Sequence, residues 1–126
     1  MAAALAHEQM DAPVLYMVRA WVCPGAGDRY LRWLEDTHMR EVINEPGFLW
    51  ARRYRLEQTN DKGWVGYLLI YGLESRAALE AYLHSAARER FWRELEPFND
   101  VHSAERFFGT LDFTALPPLR SPATSS

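Results

Sequence analysis

The chain has a single cysteine, Cys23, among its 126 residues, so an intrachain disulfide bond is excluded. It has no run of basic residues, and its formal net charge is -3, which argues against nucleic acid as a partner. No apolar run approaches the roughly 20 residues that a membrane helix needs. We therefore expect a protein that binds neither nucleic acid nor membrane, and the lone thiol favours the cytoplasm as its compartment.

The two ends of the chain have little that predicts packed structure. The opening residues, MAAALAHEQMDAP, lack the basic region and the apolar core of a secretory signal. We expect residues 1–12 to form a flexible arm, and the proline- and serine-rich residues 117–126 to form a disordered tail. Residues 13–116 then make one domain of ordinary size.

Large aromatic side chains, in contrast, are abundant. Five Trp, six Tyr and six Phe are many for a domain of this length. One small core cannot easily enclose that many rings, so some should line a pocket or a subunit interface, where aromatic residues are enriched.

Hydrophobic periodicity and turn residues predict the element order β-α-β-β-α-β. The second helix should begin after Ser75 as its N-cap and end at Pro97. A loop, residues 99–105, should hold His102 in an exposed position, and His84 should also be exposed. The predicted strands are 14–23, 48–57, 64–73 and 106–115, and the predicted helices are 28–44 and 75–96.

This order is that of the ferredoxin-like α+β fold, in which two helices cover one face of a four-stranded antiparallel sheet. Alternation in the first strand places Tyr16 and Val18 on the face that packs under the helices. The other face carries Met17, Arg19 and Trp21, and no element of the chain is left to cover it. An apolar surface of that size favours a homodimer in which two sheets close over each other.

Short motifs along the chain support the same fold. The sequence resembles the dimeric α+β barrel superfamily, and within it most closely a small family of uncharacterised function near the antibiotic-biosynthesis monooxygenase, EthD-like and stress-responsive barrel proteins. The motifs are Trp33-x4-His38-x2-Glu41-Val42, Gly47-Phe48, Ala51-Arg52-x-Tyr54-Arg55-Leu56 and Tyr71-Gly72-Leu73-Glu74-Ser75. The resemblance implies a dimeric barrel and, by analogy with superfamily members, cofactor-free oxygenation or isomerisation of a small molecule.

Two residues of the first helix are candidate catalytic groups. His38 lies on the packed face, where an imidazole could act as a general base near neutral pH. Glu41 is three residues further and could orient that imidazole. Alternatively, His38 is a structural residue bonded to a backbone carbonyl, and Glu41 is a solvated carboxylate paired with Arg40 or Arg52. No third ligand is visible beside these two, so we predict neither a metal site nor a cofactor.

Strand residues and aromatic rings are candidate ligand-binding groups. An arginine on the sheet requires a negative partner if it is buried, and this partner could be an anionic ligand or a carboxylate in a structural ion pair. The rings could stack on a flat ligand, or they could simply fill the core and the interface. The candidates are Arg19, Trp21, Trp33, Trp50, Arg52, Tyr54, Trp64 and Tyr67.

Two classes of function fit these features. The first is a small cofactor-independent enzyme that acts on a hydrophobic, aromatic or polyketide-like molecule between sheet and helices. His38 would move the proton, and Arg19 or Arg52 would hold an oxyanion. The second is a non-catalytic dimer that binds a ligand or serves in stress responses. A haem-binding function ranks third because it needs a histidine that faces a large cavity. A water-accessible cavity reached by His38 and an arginine would favour the enzyme.

Overall fold

The computed structural model describes residues 11–119 of the chain. Residues 1–10 of the predicted arm and 120–126 of the predicted tail lie outside this range. The elements, in chain order, are β1 (Val14–Val22), α1 in three consecutive segments (Asp28–Trp33, Leu34–His38 and Met39–Val42), β2 (Phe48–Thr59), β3 (Val65–Leu73), α2 (Arg76–Leu83), α3 (Ala86–Leu95), a short 3-10 turn (Glu96–Phe98) and β4 (His102–Thr110).

The strands form one antiparallel sheet in the order β2-β3-β1-β4. β1 is therefore central, and its Val18 lies opposite Leu69 of β3 and Arg106 of β4. This arrangement is the ferredoxin-like α+β fold that the sequence predicted.

One face of the sheet, which we call the covered face, packs under the helices. Along β1, buried residues alternate with half-buried ones, as expected of a strand with a single covered side. The helices contribute Tyr30, Leu34, Leu79 and Phe91 to the same core, each no more than 3% exposed. Burial of this apolar surface is the main force that holds the helices on the sheet.

The first helix contains one wide turn. Residues Leu34–His38 form a π-helical turn, in which the Met39 N–H bonds to the Leu34 carbonyl five residues earlier. The Nε of Arg40 donates a hydrogen bond of 2.8 Å to the carbonyl of Glu35, so this carbonyl has a side-chain partner. Turns of this kind occur frequently at functional sites, and this one ends at His38.

The predicted second helix is in fact two helices. α2 ends at Leu83 and α3 begins at Ala86, each with its own serine N-cap. The Ser75 hydroxyl accepts a bond of 3.0 Å from the Ala78 N–H, as predicted, and the Ser85 hydroxyl accepts one of 3.1 Å from the Arg88 N–H. Ser85 competes for backbone bonds, and it therefore interrupts a hydrophobic pattern that looked continuous.

The predicted last strand was misplaced. It was expected at residues 106–115, with 99–105 as a loop, but β4 is His102–Thr110. The length of β1 sets these limits, because β4 pairs residue by residue with β1 from Val14 opposite Thr110 to Val22 opposite His102. Residues 111–119 have no regular structure. Glu105 therefore belongs to the sheet, and Arg106 lies inside β4 and not at its start.

A close contact explains the turn after α1. Gly47 has a φ of +86°, and a Cβ at this position would collide with the Cβ of Ala78 in α2. Glycine alone satisfies both conditions, so the Gly47-Phe48 motif marks the point where α2 approaches the start of β2.

Candidate functional site

The structure divides the predicted site residues between two sides of the sheet. On the uncovered side, which we call the open face, lie Arg19, Trp21, Trp50, Arg52 and Tyr54. Trp33, His38 and Tyr67 lie on the helical side, and Trp64 lies beside the β2–β3 turn. The expectation that Arg19 or Arg52 holds an oxyanion beside His38 is therefore wrong, because the sheet separates them. Whether each residue binds a ligand stays a prediction.

His38 is held in place by aromatic rings. Its imidazole stacks on Trp33, with ring centroids 4.5 Å apart and planes 12° apart. The edge of the same imidazole meets Phe91 of α3 at a centroid distance of 5.1 Å. The wide turn of α1 thus presents a histidine that two neighbours fix in orientation.

Two small cavities lie beside this imidazole, between helices and sheet. Each has a volume of about 30 Å³, which is about the space that one water molecule takes up. We call this pair of cavities the inner cavity. Five side chains line both of these cavities: Tyr16, His38, Tyr82, Leu95 and Arg106.

Arg106 is the arginine that reaches His38, and the sequence did not single it out. It lies on the covered side of β4, and its Nε donates a hydrogen bond of 3.3 Å to the hydroxyl of Tyr16. Its position could have been found only with the correct limits of β4, because Arg106 was expected at the very start of that strand. The signal was the alternation of the strand once it is extended back to His102.

The electrostatic environment keeps His38 neutral. Burial, together with the smaller effect of the nearby positive charge of Arg106, lowers the pKa of His38 from 6.5 to about 4. Its Nδ1 atom is buried and has no hydrogen-bond partner within the described residues. Burial also raises the pKa of the Tyr71 and Tyr82 hydroxyls, so both remain protonated near neutral pH. The inner cavity therefore combines a neutral imidazole, neutral phenols and one cation.

Glu41 makes none of the contacts that were proposed for it. Its Oε1 atom is buried and has no hydrogen-bond partner in residues 11–119, so this oxygen does not orient the imidazole. It does not pair with Arg40, which bonds to the Glu35 carbonyl, or with Arg52, which lies 4.0 Å from the ring centre of Trp50. A catalytic role for Glu41 stays a prediction, without a geometric argument in its favour.

His102 is the structural histidine of the domain. It was expected in an exposed loop, but it begins β4 and is only 8% exposed. Its Nδ1 lies 2.7 Å from the carbonyl of Phe98, and its ring stacks on Tyr30 at 4.4 Å. The strand limits explain the error. His84, in contrast, is exposed as predicted.

On the open face, the chain supplies its own partner for Arg19. The Nη2 atom of Arg19 lies 2.8 Å from Oε1 of Glu105, whereas its Nε is buried and has no hydrogen-bond partner in residues 11–119. The ring of Trp21 lies over Gly66, and the ring of Trp50 lies over Gly72. Each indole occupies the space above a residue without a side chain, and the open face is flattened at both positions.

The described residues contain neither a metal-binding cluster nor a membrane-spanning helix. Within residues 11–119, no group of three or more His, Cys, Asp or Glu side chains is placed to hold a metal ion. Over the same range, no helix has both the length and the apolar character of a membrane span.

Comparisons with solved structures identify the fold. SnoaB, a cofactor-independent oxygenase from Streptomyces nogalater, is similar with a TM-score of 0.57 and 19% identity over 82% of this chain and 97% of its own. A dimeric ferredoxin-like protein from an uncultured marine organism has a TM-score of 0.59 and 13% identity over 81% of this chain and 96% of its own. HapK from Hahella chejuensis has a TM-score of 0.57 and 16% identity over 83% of this chain and 98% of its own.

These neighbours establish a ferredoxin-like fold, and at such identities they establish the fold alone. The chain belongs to the family described as "Domain of unknown function (DUF4286)", whose profile matches residues 13–106. No curated protein matches the chain at a significant level.

Proposed function

We propose that the protein is a small cofactor-independent enzyme that abstracts a proton from a hydrophobic aromatic molecule at the inner cavity. One observation carries the proposal. The Nδ1 atom of His38 is buried and unpartnered beside a cavity that it shares with Arg106. A buried polar atom without a partner carries an energetic penalty, and it is usually retained for a reason such as a bound ligand or catalysis.

The residues have complementary roles in this chemistry. Neutral His38 accepts a proton from a C–H or O–H group that is activated by a neighbouring aromatic carbonyl. Negative charge then develops on the carbonyl oxygen, where the guanidinium of Arg106 and a protonated tyrosine hydroxyl stabilise it. Charge on the substrate also offsets the repulsion between Arg106 and the imidazolium, so the basicity of His38 rises as the proton moves.

The product depends on what happens to the anion. In an oxygenase, it reacts with O2, and a methylene group becomes a carbonyl with release of one water molecule. In an isomerase, the proton returns from His38 to a different carbon. The activity of SnoaB, a cofactor-independent oxygenase, supports the first outcome for a protein of this fold.

The dimer belongs to the same proposal. The open face carries half-buried Met17, Trp21, Leu68 and Ile70, with no helix above them in the described chain. A second copy that packs through this face would cover it, as the dimeric ferredoxin-like neighbour suggests. The single cysteine supports a reducing compartment, so we also propose a cytoplasmic location.

The non-catalytic alternative has one observation in its favour. The inner cavity has room for about two water molecules and for no aromatic substrate without movement of its walls. A protein that binds only a small ligand, or none, would satisfy that volume.

The experiment uses anthrone, whose methylene protons are activated by an aromatic ketone. Exchange of these protons in D2O, followed by proton NMR, reports His38 as a base, and O2 uptake reports oxygenation. We expect His38→Gln to slow both by roughly a hundredfold or more, the usual contribution of a general base. His84→Gln, an exposed histidine, is the control and should behave like wild type. Equal exchange rates in wild type and His38→Gln would overturn the proposal.

A further inference from the structure

A larger groove lies on the outer surface of α3. Its volume is about 540 Å³, and its lining includes Leu83, Arg88, Glu89, Trp92 and Arg93. We call it the outer groove. Arg88 and Trp92 also line one half of the inner cavity, together with His38 and Arg106. The two spaces thus meet at the same pair of side chains.

Trp92 is the largest group at this boundary. It is 53% exposed, although indoles usually bury most of their surface. The guanidinium carbon of Arg106 lies 4.5 Å from its ring centre, and that of Arg88 lies 5.6 Å away. The indole therefore has an accessible aromatic surface beside two cations, on the path from solvent to His38.

The outer groove has a positive charge balance. Its lining has two arginines, Arg88 and Arg93, which form no salt bridge within residues 11–119, and one carboxylate, Glu89. Other arginines of these helices are neutralised, since Arg76 pairs with Glu80 and Arg90 with Glu94. An unpaired arginine beside an exposed indole suits a ligand that is both flat and negatively charged.

We propose that the outer groove is the binding and access site for a planar aromatic anion, a carboxylate or phenolate, that stacks on Trp92 and pairs with Arg88. This inference rests on the proposed function, because it names the class of substrate that would reach His38. Displacement of Trp92 from Arg106 opens the boundary between the outer groove and the inner cavity. The open face lies on the other side of the sheet, so a dimer formed there leaves this access free.

The probe is 2-naphthoate, and its neutral counterpart is 2-naphthalenemethanol. Titration of the full chain by calorimetry should show naphthoate binding that weakens with added salt. We expect Trp92→Ala to weaken the affinity for both probes, each by roughly tenfold. Arg88→Gln should weaken naphthoate binding by a similar factor and leave the neutral probe unchanged. Phe113→Ala, which removes an exposed ring outside the outer groove, and Arg76→Gln, which removes an arginine paired with Glu80, are the matched controls.

The outcomes separate this inference from the proposed chemistry. Naphthoate binding to Trp92→Ala and Arg88→Gln with wild-type affinity would overturn the outer groove as a site. So would naphthoate and the neutral probe binding equally to wild type. His38→Gln should bind naphthoate normally, since His38 does not line the outer groove. If that variant binds naphthoate but exchanges anthrone protons at the wild-type rate, the groove stands and the role of His38 as a base fails.

Discussion

The covered and open faces of one sheet treat charge in opposite ways. On the covered face, Arg106 donates a hydrogen bond to the hydroxyl of Tyr16, and its positive charge acts on a neutral histidine. On the open face, Arg19 is paired with Glu105 from the neighbouring strand. The two arginines occupy adjacent strands, at Arg106 opposite Val18 and Arg19 opposite Glu105. Strand alternation alone therefore places Arg106 on the covered face, at the inner cavity, and Arg19 on the open face.

This difference teaches that an arginine with a carboxylate partner is a structural group, whereas one without such a partner can act on a ligand. Glu105 compensates the charge of Arg19, so Arg19 can lie on a face that packs against another sheet. A buried charge needs such compensation. Arg106 keeps its charge available at the inner cavity. The comparison also separates two roles for the protein surface, association on one side and chemistry on the other.

The largest effect is expected from a charge on the open face. Ile70→Glu places a carboxylate at the centre of the proposed interface, twice in a two-fold dimer. We expect the dimer to dissociate at least roughly a thousandfold more readily, because each unpaired buried charge costs several kcal/mol. Light scattering measures the mass, and Asp61→Lys in the exposed turn is the control. A wild-type protein that is already a monomer would break the comparison.

A smaller effect is expected on the covered face when the pH falls. The pKa of His38 is about 4 in the folded chain and 6.5 ordinarily, so the unfolded chain binds a proton between these values and the folded one does not. The free energy of unfolding is therefore complete above pH 6.5 and decreases as the pH falls toward 4, by about 3 kcal/mol in total. Urea unfolding of wild type and His38→Gln should show a shallower pH dependence in the variant.

The same experiment has a control on the covered face. The pKa of His102 is also lowered by burial, opposed by its bond to the Phe98 carbonyl. His102→Gln should lower the free energy of unfolding at neutral pH, because the bond to the Phe98 carbonyl is lost. His38→Gln should not have this effect, because the Nδ1 of His38 has no hydrogen-bond partner within residues 11–119. Equal pH dependence in His38→Gln and wild type would contradict the assigned pKa.

The smallest effect sharpens the comparison of the two faces. Arg19 and Glu105 are about half exposed in the single chain, where such a pair contributes about 0.2–1 kcal/mol. A double-mutant cycle of Arg19→Gln and Glu105→Gln should give a coupling energy in that range in the monomeric Ile70→Glu background. In the dimer, the same cycle should give a larger coupling because the pair is removed from water. An unchanged coupling would argue against burial of this face.

Much of the fold was accessible from the sequence because β1 follows strict alternation and clear turn residues bound the β2–β3 hairpin. Strand alternation predicted the covered residues Tyr16 and Val18, which are 5% exposed. The break between α2 and α3 was missed, since the apolar stripe continues across Ser85 and a single hydroxyl decides the interruption.

The candidate site was predicted less well, for a reason that is three-dimensional. His38 and Trp33 are close in sequence, and their contact follows from the helix. Arg106 is 68 positions further along the chain, and it reaches His38 only through the register of β4 on β1. The sequence did not predict Trp92 as a site residue, because Trp92 lies outside the buried apolar stripe of its helix. Long-range register and exposed rings are not visible in local periodicity.

The wide turn of α1 makes the placement of His38 depend on chain length as well as on side-chain type. Removal of one residue from Leu34–His38 would restore ordinary α-helical spacing, with its 3.6 residues per turn. The wide turn accommodates this one residue locally, so Tyr30 before it and Val42 after it would keep their buried positions, at 2% and 1% exposure. The side chains between them would change their positions around the helix axis. The length of this single turn therefore determines which side chain lies beside the inner cavity, without any substitution at the histidine itself.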